Sequence, residues 1–538
     1  MNSYVRQSSN ATIIAFWKCF PLAIKSITHQ LLPWFIFFLV WQSISPFTFS
    51  YALPGPLQIT YQIFYDIPLL SLHLFSTLKN AVAGLFFGSA LGITLGIATA
   101  KSRFLSYVFY SPALLIFSIP IVAIAPFLSL LVSQSQTPVL LATMTVFFPV
   151  AVTGRRALAD IDLRQRRLFQ VYNPTPFRFF MSLELPSTLP AAIAGVQIAV
   201  PWALLGSMMG EFTGGRWGLG VLMLGTLGRG DPVRLWAIAI VTSAISIVGF
   251  SAFGIARRVS ERRLGITAVL RDPGDTVTST DAREIGISLL SILAWWTVFA
   301  QISSLPAPLV LSPLGLVRRL LADPTISQSL CHAAAETLPM AFFALFLGVA
   351  LSLLWALVGH LVPAIDRVLK SALFVTQSVP LLALAPLFVL IFGRGTLCTL
   401  TIAVLAIVFP GYAVISQRLA TIPQALSAFS DVYAASKLRR VLSVDVPWAS
   451  YGIFTAIRVG APRVLLGVML AEYLATGRGL GFLMATARGR VDFTTIWGAV
   501  AITGIVSLIL YYAANFLEIR FVLGPAESSR SALRSTNR

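Results

Sequence analysis

Few side chains in this 538-residue chain could perform chemistry, and those few are thinly spread. Four histidines (His29, His73, His332, His360) are scattered, and three cysteines (Cys19, Cys331, Cys398) lack metal-ligand spacing. No Gly-x-x-x-x-Gly-Lys-Ser/Thr loop is present to cradle a nucleotide, and no His-Glu-x-x-His to hold zinc. What remains is charge set inside apolar sequence. Arg458 and Arg463 lie five residues apart in one apolar run, where the first half of the chain has Gln197 and Trp202. An arginine at the centre of a bilayer costs roughly 2.5–3.5 kcal/mol even on a lenient scale, so such residues need a reason. Two readings are open: attraction of an anion or closure of a gate, or snorkelling of long side chains to the interface. Glu211 and Glu472 end apolar runs, where a carboxylate satisfied at a helix end competes with a solute contact. Gln197, Glu211, Arg458, Arg463 and Glu472 are therefore the candidate pathway residues.

The elements that must position these groups are membrane spans. Hydrophobic residues make up 57% of the chain and charged ones 11%, against about 25% charged in soluble domains. Mean hydropathy is +0.83. The net charge of +19 sits in short loops between apolar runs, the signature of cytoplasmic loops rather than of a nucleic-acid-binding face. Spans of about 20 apolar residues fall near 31–49, 75–100, 105–131, 138–153, 188–210 and 233–255, then near 286–303, 333–359, 365–392, 396–414, 449–471 and 494–516. Ile119-Pro120 and Ala125-Pro126 predict a kinked or broken third span. Arg155, Arg156, Arg164, Arg166, Arg167 and Arg178 mark one inner loop, and Arg257, Arg258, Arg262 and Arg263 another. Residues 1–30 read as a cytoplasmic or interfacial segment without a cleavable signal, 31–258 as one unit, and 259–285 as a polar cytoplasmic linker. A second unit covers 286–517 and a cytoplasmic tail 518–538, with both termini inside.

One unit occurs twice. Adding 261 carries Pro201 onto Pro462, Leu204-Leu205-Gly206 onto Leu465-Leu466-Gly467, Glu211 onto Glu472, Gly218-Leu219-Gly220 onto Gly479-Leu480-Gly481 and Trp236 onto Trp497. Earlier matches such as Gly88 with Gly348 and Pro120 with Pro380 stand 260 apart. Register held over most of each half is repeat architecture. Six spans per unit return the chain to its starting side, so the repeats are parallel and related by a pseudo-two-fold axis along the membrane normal, with a pathway between them. The inner loops 154–187 and 415–448 exceed an ordinary helix connection and suit docking of a soluble partner.

These loops and the glycine-rich segments after them resemble the permease subunits of binding-protein-dependent ABC importers. In that family the inner loop carries an EAA motif: Glu-Ala-Ala, a glycine, then Leu-Pro about a dozen residues on. Pro186 and Pro447 fall on its proline, preceded by Glu184 and Asp445; its glycine falls on Asn173 and Ala434, and its opening triplet on Arg167-Leu168-Phe169 and Ala428-Phe429-Ser430. Asn173 tolerates the left-handed backbone a glycine would supply. The resemblance implies an all-α integral membrane protein of about 12 transmembrane helices, built as two tandem six-helix permease bundles of the MetI-like kind fused in one chain. It implies docking by about Leu163–Phe180 and Gln424–Leu442, with Arg167, Leu168, Phe169, Tyr172, Asn173, Glu184 and Pro186 in one loop and Phe429, Ser430, Tyr433, Ala434, Asp445 and Pro447 in the other. The implied partners are two cytoplasmic ABC ATPase subunits, which would use ATP and Mg²⁺, and a periplasmic or lipid-anchored solute-binding protein. No cofactor is expected on this chain. The downstream Glu and Gly-Leu-Gly pattern is similar to the sulfonate, nitrate, taurine and bicarbonate branch, implying import of a small organic or inorganic anion across the inner membrane by alternating access. That branch also holds carriers of thiamine-precursor-like heterocycles. An ion-gradient-driven transporter and a non-transporting scaffold are the rival readings.

Overall fold

The computed structural model describes residues 38–46, 53–110, 112–113, 117, 119–159, 161, 163–264, 282–303, 309–423, 425–426, 436–518 and 520. Every regular element among them is helical. In the first unit these are α1 (Pro56–Tyr65), α2 (Ile67–Lys101), α3 (Ile121–Leu131), α4 (Thr137–Ala159), α5 (Leu163–Val171), α6 (Pro176–Gly214), α7 (Leu219–Arg229) and α8 (Pro232–Leu264). The second unit contributes α9 (Ala282–Ile302), α10 (Pro313–Ala322), α11 (Pro324–Leu361), α12 (Pro363–Ser378), α13 (Leu381–Phe392), α14 (Thr396–Leu419), α15 (Leu438–Leu474), α16 (Gly479–Gly489) and α17 (Phe493–Glu518).

Eight of these (α2, α4, α6 and α8, with α11, α14, α15 and α17) are long and apolar enough to cross a membrane. At 1.5 Å per residue the 35 residues of α2 reach about 52 Å, well past a hydrocarbon core of about 30 Å. The third spans are interrupted, as their prolines predict: α3 begins after Pro120, and α12 stops at Ser378 before α13 resumes after Pro380. α3 and α13, with α7 and residues Leu289–Ile302 of α9, are shorter apolar helices. Helix also fills two stretches that lie between the apolar runs. The outer stretch 50–72 contains α1 and the start of α2, and the glycine-rich stretch 211–232 contains α7. Burial of Leu219 and Met223 in the shared core outweighs the helix cost of the glycines there.

Close approach of α2 to α4 explains the small residues on α2. Leu70, His73, Thr77, Ala81, Gly84, Gly88, Gly92 and Gly96 are buried at helical spacing. A methyl on Gly92 or Gly96 would collide with the carbonyl oxygen of Phe147 or Ala151 on α4. Such backbone contact is how apolar helices associate where lipid is as apolar as leucine.

The units do not merely abut. Phe127 of α3 meets Trp497 of α17 edge-on, ring centroids 4.4 Å apart, and α13 packs in the equivalent way on α8. Each third span thus lies against the sixth span of the other unit. The largest cluster of buried apolar residues draws on both, from Val122, Leu141 and Met208 to Leu382, Ile402 and Met469. Trp295 of α9 also reaches across, its indole N–H donating to the Val108 carbonyl at 3.0 Å.

Candidate translocation pathway

The two carboxylates at the ends of the fifth spans are closed inside the protein. Glu211 is 1% exposed. It accepts hydrogen bonds from the Thr77 hydroxyl (2.9 Å), the Ser207 hydroxyl (3.1 Å) and the backbone N–H of Gly220 (3.0 Å). Glu472 repeats this with Thr337 (2.8 Å) and the N–H of Gly481 (2.9 Å). In both units the threonine oxygen also accepts from the middle residue of Gly-Leu-Gly, Leu219 or Leu480, at 2.8 Å. The first glycine of each triplet has positive φ, +133° at Gly218 and +84° at Gly479, and a Cβ at either would overlap the glutamate carboxyl. Each unit therefore has a clasp tying the helix after the fifth span to the second span. The carboxylate holds buried donors that would otherwise lack partners. Of the two readings open for Glu211 and Glu472, this geometry is that of a satisfied helix-end carboxylate, and neither residue lines the two cavities between the units.

Two cavities, of about 400 and about 370 Å³, lie between the units. The first is walled by Phe117, Ile121, Met144 and Phe148 of unit one with Val459, Pro462 and Tyr511 of unit two. The second is walled by Ile198, Pro201 and Phe250 of unit one with Leu381, Leu405 and Phe409 of unit two. Offsets of 260 and 261 carry one wall onto the other, as Ile121 onto Leu381 and Pro201 onto Pro462, so the cavities are pseudo-symmetric copies. Trp202, Arg463 and Leu466 line both. Trp202 and Arg463 are themselves equivalent positions, and the guanidinium carbon of Arg463 stands 5.7 Å from the Trp202 ring centroid, within cation–π range. Phe117 extends the aromatic wall, 5.9 Å from Trp202 and 4.6 Å from Phe148.

Arg458 is enclosed by protein, and Arg463 stands between the units. Arg458 is 2% exposed, donates to the Asn515 side-chain oxygen at 2.9 Å and pairs with the Glu518 carboxylate at 3.1 Å. The same offset places Gln197, Gly254 and Arg257 opposite Arg458, Asn515 and Glu518. Gln197 is buried against the space that Gly254 leaves open and lines neither cavity. The second repeat thus encloses a cation with its counter-charge where the first has an amide and a glycine. Sequence reading missed Asn515 and Glu518, although the offset that aligned the arginine exposes both.

At the end of the bundle bearing the long inner loop, α5 presents Leu168, Val171 and Tyr172, 64%, 81% and 84% exposed, beside exposed Arg164 and Arg167. Asn173 ends the turn with φ 42°, the left-handed backbone expected of it. Phe169 is turned inward, edge-on to Phe179. Glu184 is buried and bridged to Lys101 at 2.6 Å, and Asp445 is buried with Arg440 4.0 Å away. These acidic residues anchor the loop and are not part of its exposed face. Of the second loop, Phe429, Ser430, Tyr433 and Ala434 lie outside the described residues; Pro447 stands in the first turn of the regular α-helical stretch Val446–Ala471 within α15.

The family model for the binding-protein-dependent transport system inner membrane component matches twice, at residues 88–265 and 348–521. The chain belongs to that family. It is a tandem permease, and the two matches begin 260 residues apart, at the repeat offset. A probable ABC transporter permease of Haemophilus influenzae is 30% identical over 231 residues, 43% of this chain and 93% of its own length. The formylaminopyrimidine transport permease ThiX of Halalkalibacterium halodurans is 30% identical over 204 residues, 38% and 82% of the two chains. The taurine transport permease TauC of Escherichia coli is 26% identical over 241 residues, 44% and 87%. Each relative spans less than half of this permease, which carries two such lengths. It is the membrane-spanning component of an ATP-driven ABC importer, a transport protein and not an enzyme, and its partners are an ATPase and a solute-binding protein.

Proposed function

We propose that this permease imports a small organic anion by alternating access, with two ATPase subunits gripping the loops at about Leu163–Phe180 and Gln424–Leu442. The observation that carries the coupling is the exposed apolar and basic face of α5. Leu168, Val171 and Tyr172 have neither core nor lipid to cover them at this polar end, and a groove on a soluble partner would. The loops then face the cytoplasm, the clasps face the solute-binding protein, and both termini are cytoplasmic. ATP-driven closure of the ATPases draws the loops together, tilts α6 and α15 about Pro201 and Pro462, and opens the space between the units outward. Taurine among the relatives' names supports a solute bearing an anionic sulfonate group, as does Arg463 beside both cavities. A second reading, import of a heterocycle, is favoured by the aromatic wall of Phe117, Phe148 and Trp202 and by the name of ThiX.

The test is co-purification of the ATPase with the wild-type chain and with Leu168→Asp/Tyr172→Ala, alongside solute uptake. The variant is expected to remain monodisperse while losing the ATPase and uptake together. Full uptake without bound ATPase, abolished by a proton uncoupler at normal ATP levels, would replace the importer mechanism with an ion-gradient one.

A further inference from the structure

We propose that Trp202 and Arg463 form the solute-recognition pair of this permease, selecting a flat ring that carries a negative charge. The proposal rests on the reading of the space between the units as the solute route. Both side chains border both cavities, so a solute passing between the units meets them from whichever side it enters. The other cationic group at the first cavity, Arg458, is committed to Asn515 and Glu518. Arg463 lies over the Trp202 ring and borders both cavities.

The walls decide what kind of anion is accepted. A small inorganic ion leaving water for this space would surrender its hydration to a largely apolar lining, with one guanidinium to compensate. A ring-bearing anion recovers that loss by burying its ring against Phe117, Phe148 and Trp202 while its charged group meets Arg463. A guanidinium within cation–π range of an indole brings two planar groups together, and a planar solute can take the place of either partner against the other. Each cavity, at about 400 and about 370 Å³, is of the size that holds a small molecule. Leu466 completes the shared border and offers no hydrogen bond that would favour a neutral polar solute.

The experiment uses the purified full-length chain in detergent micelles and three probes: benzenesulfonate, methanesulfonate and benzyl alcohol. Benzenesulfonate is expected to raise the unfolding temperature in a concentration-dependent way, at concentrations where the charge alone or the ring alone has little effect. Arg463→Gln and Trp202→Ala each shift that dependence to about tenfold higher concentration. Arg463→Lys, which keeps the charge without the planar fork, falls between. A merely structural role would lower the unfolding temperature of the variants and leave the probe dependence where it was. The proposal is overturned if methanesulfonate matches benzenesulfonate, if no probe acts, or if the Arg463 variants keep wild-type dependence. Should Arg463→Gln not fold, the lysine variant decides alone. Co-purification of the ATPase from the same preparation separates the two levels: probes failing with the ATPase bound sinks the recognition pair only, and loss of the ATPase from the wild-type chain sinks the importer mechanism beneath it.

Discussion

Arg458→Gln is the most informative single change, because it gives the second unit the residue that Gln197 supplies in the first. It leaves Glu518, whose side chain is 3% exposed, charged and without the guanidinium 3.1 Å away. With both partners this deeply enclosed, solvent does not screen the loss, and breaking such a pair from one side costs about 3–5 kcal/mol. Glu518→Gln strands Arg458 and costs a similar amount. The double variant removes both charges and replaces them with groups able to hydrogen-bond each other and Asn515, so its loss is expected within about 1 kcal/mol of zero. The cycle then gives a coupling energy of several kcal/mol between residues on α15 and α17. Unfolding in mixed micelles of mild detergent and dodecyl sulfate, followed by tryptophan fluorescence, reads all four proteins. Singles that lose less than about 1 kcal/mol, or a double that loses the sum of the singles, would refute the account of a buried cation held in place by its counter-charge.

Three further outcomes are expected. Gly218→Ala and Gly479→Ala each drive a methyl into a buried carboxylate from a left-handed backbone, so each lowers the unfolding temperature, whereas the same change at Gly225, which has open space around it, does not. Thr77→Val and Thr337→Val remove a buried hydroxyl from the clasps and cost about 1–3 kcal/mol each, read by the same unfolding assay. Asp66 is held by Arg234 through contacts of 2.6 and 3.0 Å. Burial pushes its carboxyl up, but the hydrogen bonds from Arg234 and Gln62 and the Arg234 charge outweigh it, leaving it below the ordinary range. A depressed folded-state value stabilises above the unfolded value near about 3.9 and fades as pH falls through the folded one. The stability gap between wild type and Asp66→Asn should thus be constant above about pH 5 and shrink below about pH 4.

Much of this architecture could be read from residue order because it is periodic. Span lengths follow from apolar runs, the breaks at Pro120 and Pro380 from proline chemistry, and the tandem organisation from Glu211, Gly218 and Trp236 recurring 261 residues later. What stayed hidden depends on contacts between distant segments. Glycines after Glu211 argue for a loop until the apolar face of α7 is seen docked in the core. The clasp needs Thr77 and Glu211 brought together, and their separation of 134 residues carries no local signal. Arg463 and Trp202 were aligned by the offset, yet alignment alone does not say that equivalent positions face each other; only the axis between the units makes them neighbours. The exposed helix α5 was legible because its arginines and leucine share a short polar segment.

That meeting across the axis has a consequence for why the two halves share one polypeptide. In a permease assembled from two identical subunits, whatever sits at this position must confront its own copy: arginine would oppose arginine, and repel it, or tryptophan would stack on tryptophan. Unlike neighbours at a symmetry centre require separately encoded halves. Fusing them guarantees that every assembled molecule receives one of each, in fixed proportion, with no wrongly matched pair to discard.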